Sequence, residues 1–335
     1  MREKLVSSFN VLWICLLLTG GWIQQLNAET NFIDLVEEPE ARLVVALTQI
    51  SEGRLQAARE ILENLLEDQP NFRLAHLVYA DLMVAASGQL TRFGGGSSRN
   101  QEVASLLEEA KRRYAHQIEK KSLDHNMLPH VLLRVSPSQR RVVVVDSALS
   151  RAHVYENDID GLRLVDDYFA TVGENGLIKT VEGDKRTPMG VYFVTSRLNP
   201  GGLEDLYGDG ALPLNYPNEW DQRLGRTGYG IWLHGVPSDT YNRPPYATEG
   251  CIALPNADIG SLYDTPDIQD TPVIILPSTT WVKASSLNDK REALLSEIDR
   301  WKSSMLDRDF DRYTDFYSTS FSNSMGGFEL SLIHI

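Results

Sequence analysis

One histidine and one cysteine stand at the two ends of a short polar segment, His234 to Cys251, which reads HGVPSDTYNRPPYATEGC. Cysteine catalysis needs a thiolate, a base that takes the thiol proton, and donors for the oxyanion that forms when sulfur attacks a carbonyl. An isolated pair of this kind is more often a core cysteine beside an unrelated histidine. The hypothesis that Cys251 is a nucleophile and His234 its general acid and base therefore depends on the surrounding motifs.

Two further features of this segment bear on the same chemistry. Gly250 lets the backbone face a substrate with no side chain in the way, so the N–H groups of Gly250 and Cys251 are the predicted oxyanion donors. The stretch from Ser238 to Ala247, SDTYNRPPYA, is stiffened by proline and carries two tyrosines. It is a candidate lid, and a static loop is equally compatible with its composition.

Residues 1–28 are typical of an export signal. Arg2 and Lys4 give a positive start, and Val11 to Leu18 form an apolar stretch shorter than the roughly 20 residues of a spanning helix. We expect a cleaved signal peptide and therefore a periplasmic protein. An uncleaved inner-membrane anchor is the alternative, because Leu26 is large for a cleavage triplet.

Residues 29–125 form the first predicted domain, a small helical region. Apolar residues recur at helical spacing from Ala41 to Ala85, and Gly53 and Pro70-Asn71 divide this stretch into about three helices. One face is predicted to carry Leu55, Ala58, Ile61, Leu62 and Leu65. The pattern resembles one tetratricopeptide-type hairpin. Since stacked repeats normally need about three units, a small helical domain and a peptide-binding surface both remain open. A further amphipathic helix is predicted in QEVASLLEEAKRRYAHQIEKK.

Residues 130–280 form the main predicted domain, which is rich in β-structure. The predicted strands are Val142–Val145, Leu162–Val165, Tyr168–Val172, Gly190–Thr195, Gly230–His234 and Val273–Leu276. They favour an antiparallel sheet folded into a sandwich or a partly open barrel, and hence an α+β chain. Residues 285–335 are predicted to be a helical tail. Its aromatic pattern is similar to the first helices of a nuclear-transport-factor-2-like module, which would be truncated here.

Three motifs in order along the chain resemble the YkuD-type L,D-transpeptidase domain. They are IKTVEGDKRTPMGVYFV from Ile178, then IWLHG ending at Gly235, then TEGCI from Thr248. The resemblance covers about Val131 to Pro277. It implies a β-rich domain whose cysteine attacks the carbonyl of the third residue of a peptidoglycan stem peptide and expels the terminal D-Ala.

Carried to this sequence, the resemblance implies Cys251 as the nucleophile and His234 as the general acid and base. Gly250, Thr248 and Gly235 would support the oxyanion site and the loop. The motif GDKRTPMG has an architectural interpretation as well, because its glycines, threonine and proline make turns. We expect that motif to shape the site more than to react in it.

Two positions depart from the family pattern. Glu249 stands where the family often has histidine, and Ala253 stands where it often has arginine. The missing arginine leaves donor and acceptor preference open. Arg243, Arg226 or Arg223 could replace it, although each is also typical of an ordinary solvated arginine. The candidate substrate-binding residues are Arg243, Arg226 and Tyr241.

The predicted function is that of an L,D-transpeptidase that forms wall cross-links or attaches a protein to the wall, with roles in peptidoglycan biosynthesis and cell shape. The predicted partners are tetrapeptide stems, with a wall-anchored protein or a cell-wall synthesis protein as a further option for the helical region. The alternatives are an L,D-carboxypeptidase or amidase that hydrolyses the same bonds, and a non-catalytic wall-binding scaffold.

Other classes of function find little support in the composition. The net charge of −14 and the pI near 5.0 argue against a nucleic-acid partner. No cofactor is implied, and the scattered histidines lack the paired spacing of a zinc site. Joint ionisation of the Cys251 and His234 pair predicts a rate that varies between mildly acidic and mildly alkaline pH.

Overall fold

The computed structural model describes residues 38–86, 101–124, 126–318, 320–323 and 326–327. The predicted export signal, the Gly/Ser-rich stretch before Gln101 and the last eight residues lie outside this part. The chain divides into two compact units, one up to Asp68 and one from Gln69 onwards. Within the described ranges, no helix combines the length and the apolar character that a membrane crossing requires.

The first unit contains a helical hairpin, α1 (Pro39–Ser51) and α2 (Leu55–Asp68). A proline in the first turn of α1 suits the helix start, where its missing N–H costs nothing, and Gly53 takes a positive φ of 77° in the turn between the helices. The side chains buried in this hairpin are Leu43, Val44, Ala46, Ala58, Leu62 and Leu65. The predicted apolar face was wrong at one end, because Leu55 begins the helix and is 40% exposed.

Two more helices begin the second unit, α3 (Arg73–Ala86) and α4 (Gln101–Ser122). The three helices predicted between Ala41 and Ala85 are thus confirmed as α1, α2 and α3, and the break at Pro70-Asn71 lies where expected. Helix α4 confirms the amphipathic helix. It buries two charged side chains, Glu109 and Arg113, which form an ion pair of 2.9 Å with each other.

Two sheets enclose the main hydrophobic core. The five-stranded sheet has the order β4-β3-β2-β9-β5, and the three-stranded sheet has the order β6-β7-β8. The strands are β2 (Arg141–Asp146), β3 (Arg151–Asp158), β4 (Gly161–Phe169), β5 (Gly190–Phe193), β6 (Ala211–Pro213), β7 (Trp232–His234), β8 (Ile252–Ala253) and β9 (Pro272–Leu276). Short helices α5 (Glu219–Arg223) and α6 (Asn256–Tyr263) lie between them.

Strand β2 explains the longest β-branched run of the sequence. Val143 and Val145 belong to the core that includes residues of both sheets, such as Leu233 and Ile252. Val142 and Val144 point the other way, into a second cluster with Leu128, Tyr155 and Leu287. A strand that is buried on both faces needs apolar residues at every position, so the alternating pattern of a half-buried strand is absent.

The predicted sheet was wrong in two details. It is mixed and not purely antiparallel, because β2 pairs in parallel with β9 and β7 pairs in parallel with β8. The two predicted strands around Asp166-Asp167 are one strand, β4, with a register shift opposite Val154 and Tyr155. That shift and the ion pair of Asp167 with Arg151 let a buried carboxylate stay within the strand. The sheets form no closed barrel.

Two helices follow the sheet domain, as predicted for this part of the chain. Strand β1 (Met127–Pro129) pairs with β10 (Trp281–Lys283), and α7 (Asn288–Leu306) and α8 (Phe310–Thr314) follow. The indole of Trp301 donates to the hydroxyl of Tyr317 at 2.9 Å. After these helices, a short hairpin pairs two strands of two residues each, β11 (Ser322–Asn323) and β12 (Gly326–Gly327). A truncated nuclear-transport-factor-2-like module stays a prediction, as do the domain boundaries.

Candidate active site

Adjacent parallel strands bring His234 and Cys251 to one cavity. His234 is the last residue of β7, and Cys251 immediately precedes β8. The register pairs Leu233 with Ile252 and His234 with Ala253. Because side chains two positions apart share one face of a strand, the cysteine and the histidine lie on the same face of the small sheet. Both line a cavity of about 780 Å³.

The tautomer of His234 is set by its neighbour. Its Nδ1 lies 2.6 Å from the carbonyl oxygen of Gly235. A carbonyl can only accept, so Nδ1 carries the proton and Nε2 of the neutral ring is free to accept one. Burial lowers the pKa of His234 to about 4. The hydrogen bond to Gly235 raises this pKa, and the charge of Arg243 lowers it further. At neutral pH the imidazole is therefore a neutral base.

The sulfur of Cys251 lies between two backbone groups. Its thiol donates to the carbonyl oxygen of Gly230 at 3.2 Å, and the backbone of Trp232 also bonds the sulfur. Burial raises the pKa of the Cys251 thiol, while Trp232 and the charges of Arg243 and Lys179 lower it. The resting pair is thus a thiol beside a neutral imidazole, not a thiolate beside an imidazolium.

The turn before the cysteine is closed by hydroxyl groups. Thr248 Oγ1 donates to the carbonyl of Cys251 at 2.6 Å and accepts from the N–H of Gly250 at 3.2 Å. Gly250 has a φ of 129°, and a Cβ there would come within 2.8 Å of the Arg186 carbonyl oxygen, so only glycine fits. Of the predicted loop-supporting residues, Thr248 and Gly250 therefore lie in this turn.

Gly250 differs in one respect from the role expected of it. Its N–H is engaged by Thr248, and its carbonyl accepts from the hydroxyl of buried Thr187 at 2.9 Å. An N–H that already has a partner is a poor oxyanion donor. Gly250 therefore shapes the turn, and of the predicted pair of oxyanion donors only the N–H of Cys251 stays a candidate.

Gly235 supports the histidine from the opposite side. Its carbonyl receives the Nδ1 proton of His234, and its own N–H donates to the carbonyl of Tyr207 at 2.8 Å. A Cβ at this position would lie 2.2 Å from Asn256 Oδ1, which itself accepts from the N–H of Val236 at 2.9 Å. The glycine is required because an amide side chain occupies the space where a Cβ would stand.

The GDKRTPMG motif builds a wall of the cavity. Asp184 accepts from Lys179 Nζ at 2.8 Å and from the N–H groups of Thr180, Val181 and Arg186. Burial alone would raise the pKa of Asp184, but these donors hold it at about 2. The architectural interpretation of the motif thus has a geometric basis, and Thr187 adds the contact to the turn of the nucleophile.

The three candidate arginines and Tyr241 lie in different places. Arg243 is half-buried and lines the cavity, where its guanidinium also donates to the carbonyl of Ala247 at 3.3 Å. Arg226 forms an ion pair of 2.7 Å with buried Asp221, and Arg223 donates to the carbonyl of Ser320. Tyr241 stacks on an aromatic ring of the helical region. Of the three arginines, Arg243 alone is among the residues that line this cavity.

The two positions that depart from the family pattern have contrasting surroundings. The side chain of Glu249 is 83% exposed at the rim and lies 3.7 Å from Lys185 Nζ, which also contacts Glu174. Ala253 is buried and exchanges backbone hydrogen bonds with Thr171. The cavity therefore has an arginine near the sulfur and carboxylates at its exposed rim.

Sequence reasoning missed two residues of this site. The ring of Tyr207 packs edge-on to His234 with centroids 5.3 Å apart and lines the cavity. Asn256 holds the strand end as described above. Neither belongs to a motif. Tyr207 comes from a segment distant from the Cys251 loop, and Asn256, although only five positions after Cys251, acts through a contact with the N–H of Val236 that no local pattern indicates. Among the described residues, no group of three or more His, Cys, Asp or Glu side chains could hold a metal ion.

Comparison with known proteins agrees with the motifs. The model of the YkuD family, the L,D-transpeptidase catalytic domain, matches residues 140–275. This confirms the resemblance derived from the three motifs, and the chain carries an L,D-transpeptidase-type domain preceded by a helical region. No curated protein matches the chain.

Solved structures with a similar fold include Bd1075 of Bdellovibrio bacteriovorus. It is 29% identical to this chain, with 62% of this chain and 74% of that chain covered and a TM-score of 0.55. The match is longer than the catalytic domain alone. Pgp2 of Campylobacter jejuni, described as a helical cell shape determining protein, is 24% identical, with 61% and 72% covered and a TM-score of 0.47.

Proposed function

We propose that this chain is a periplasmic enzyme that acts on peptidoglycan stem peptides through a Cys251 acyl-enzyme, with L,D-transpeptidation as its principal reaction. The observation that carries the proposal is the pair of His234 and Cys251 on one face of two adjacent strands, at one cavity, with Nε2 of the imidazole ready to accept a proton. Binding alone would need neither a nucleophile nor a base.

The first half-reaction follows from this geometry. The sulfur of Cys251 attacks the carbonyl of the third residue as its proton passes to Nε2 of His234. The N–H of Cys251 donates to the oxyanion. When the tetrahedral intermediate collapses, the imidazolium returns the proton to the departing amine of the terminal residue, and a thioester remains. The lowered pKa of His234 makes that imidazolium a strong proton donor.

The second half-reaction transfers the acyl group. An amine attacks the thioester and gives its proton to His234, and the thiol of Cys251 is restored. Arg243 is suited to hold the carboxylate of the donor's terminal residue, because it lines the cavity and can supply the guanidinium that is missing at Ala253. The carboxylate of Glu249 at the rim lies beside Lys185, so its charge gives no preference between an amine acceptor and water. Transpeptidation is ranked above hydrolysis because the matching family domain is that of the L,D-transpeptidases.

The export signal in the sequence supports a periplasmic location. Stem peptides lie outside the inner membrane, so an enzyme of this kind must cross it or be anchored to it. Residues 1–28 provide either route, as a cleaved signal or as an uncleaved anchor.

The test uses purified sacculi that carry tetrapeptide stems. Native protein and the Cys251→Ala variant are incubated with the sacculi, and the digested muropeptides are analysed by mass spectrometry. We expect cross-linked dimers between third-position residues, or exchange of the terminal D-amino acid, with native protein only.

Two other results would change the proposal. Release of D-Ala without new cross-links would make the protein an L,D-carboxypeptidase that uses the same acyl-enzyme. Identical muropeptides from both proteins, with retained binding to sacculi, would contradict an enzymatic role and support a scaffold.

A further inference from the structure

The loop Ser238–Ala247, between β7 and the turn of the nucleophile, contacts the helical region of the second unit. It forms no helix or strand of its own. One of its residues, Asn242, is nevertheless only 7% exposed. A buried amide must find hydrogen-bond partners, and its partners show what holds the loop.

Asn242 joins helix α4 to the backbone beside the cavity. Its Nδ2 donates to Glu109 Oε1 at 2.9 Å and to the carbonyl oxygen of Arg243 at 3.0 Å. Glu109 is 1% exposed and also accepts from Arg113 Nε at 2.9 Å. Both N–H bonds of the amide are therefore used, one towards the helix and one towards the residue that carries the cavity's arginine.

Aromatic contacts hold the same loop on both sides of Asn242. Tyr241 stacks on Phe72 with ring centroids 4.1 Å apart. The guanidinium of Arg112 lies 4.6 Å from the ring centre of Tyr246. Arg112 is held in turn by the carbonyl of Ser147 at 2.6 Å. Phe72, just before α3, and Glu109 and Arg112, within α4, thus contact the loop at three points.

The position of Arg243 depends on this attachment. Its side chain lines the cavity, and its guanidinium donates a long hydrogen bond of 3.3 Å to the carbonyl of Ala247 within the same loop. Thr171 provides a second anchor, because its hydroxyl donates to the carbonyl of Pro244. A loop attached to the sheet at Pro244 and to the helix at Asn242 holds the intervening arginine between two fixed points.

We propose that Asn242 is a positioning residue for catalysis, because its bond to Glu109 of helix α4 holds the neighbouring Arg243 beside the sulfur of Cys251. The helical region then takes part in the reaction by fixing the loop. The role of Arg243 towards the donor carboxylate rests on the proposed function, whereas its placement beside Cys251 does not.

The experiment tests whether Arg243 lies beside Cys251, and it does not require the protein to turn over a substrate. Full-length protein is alkylated with iodoacetamide across a range of pH, and the midpoint of the rate profile reports the ionisation of Cys251. The variants are Asn242→Ala, Arg243→Ala and the double variant. The matched control is Asn157→Ala, which loses two amide bonds, to the carbonyls of Ser136 and Gln139, and none of these three residues lines the cavity.

We expect Asn242→Ala to shift the alkylation midpoint upward, as Arg243→Ala does, because the cation that favours the thiolate moves away. The double variant should show no further shift, and Asn157→Ala should show none. In turnover assays, Asn242→Ala should raise KM about tenfold with little change in kcat, the factor expected for one charge-assisted hydrogen bond. Glu109→Gln keeps an acceptor for Asn242 and should retain most of the native profile.

Two results would overturn the proposal. In the first, Asn242→Ala lowers the melting temperature as Asn157→Ala does but leaves the alkylation profile unchanged. In the second, Asn242→Ala shifts the profile equally in the native and Arg243→Ala backgrounds. Absence of turnover in native protein, with the alkylation results as expected, would contradict the proposed function alone.

Discussion

His234 and His153 are both almost completely buried, yet their rings face different partners. His234 at the cavity faces the carbonyl of Gly235, and its pKa is lowered to about 4. His153 on β3 lies 3.3 Å from the carboxylate of Asp167, which also bonds Arg151 and His116. Burial raises the pKa of Asp167, but these cations and donors hold it well below its usual value.

The difference shows how one residue type serves two purposes. Asp167 brings His153, His116 and Arg151 together in a buried polar cluster that links α4 to the sheet. A carbonyl partner fixes the tautomer but adds no charge, so burial keeps the ring neutral and its second nitrogen available. Burial alone therefore does not identify a reactive histidine, and the partner of the ring does.

The largest expected effect separates the two histidines directly. His234→Gln should lower kcat/KM about a thousandfold, or about 4 kcal/mol, because the general base and acid is lost. The matched variant His153→Gln should leave the rate per folded molecule unchanged. Muropeptide turnover, normalised to the folded fraction, measures both. Equal losses in the two variants would remove the distinction between the sites.

A change at Asp167 tests the buried polar cluster around His153. Asp167→Asn leaves Arg151 buried without its countercharge, and we expect the free energy of unfolding to fall by about 3 kcal/mol. Urea unfolding measures this loss. The rate per folded molecule should not change, and a lower rate with unaltered stability would mean that the cluster acts on the cavity.

A smaller effect is expected at the turn of the nucleophile. Thr248→Val keeps the side-chain shape but removes the bonds to Cys251 and Gly250, so kcat/KM should fall about tenfold. Thr265→Val, which loses a bond to the Ser261 carbonyl on α6, is the control and should not change the rate. Equal rates for Thr248→Val and Thr265→Val would show that the turn does not need the Thr248 hydroxyl.

The smallest effect is the pH dependence. A neutral His234 is the active form, so the rate should be half lost at a pH of about 4 and fully present above it. Because burial also raises the pKa of Cys251, the rate should be constant between mildly acidic and mildly alkaline pH. This reverses the expectation from the sequence alone, which assumed unshifted groups. A steep fall between pH 7 and 6 would show that His234 is better solvated than the structure indicates.

Local patterns predicted much of this architecture. Helical periodicity located α1 to α4, and β-branched runs located β2, β5, β7 and β9, because these elements have regular amphipathic or fully apolar character. Strand β4 was divided in two because its acidic pair resembled a turn. The carboxylate of Asp167 is acceptable inside a strand only because Arg151 and His116, on other elements, compensate its charge.

Motif spacing by itself determined the nucleophile candidate, its histidine and the kind of domain that holds them, since all three follow from residue types close together along the chain. Only the tertiary structure decided which arginine reaches the cavity, that the N–H of Gly250 is already engaged, and that helix α4 holds the loop. These facts depend on contacts between distant segments, such as Glu109 with Asn242, and on burial, which no short stretch of sequence reveals. The pKa of His234 belongs to the second group, because desolvation is a property of the folded chain.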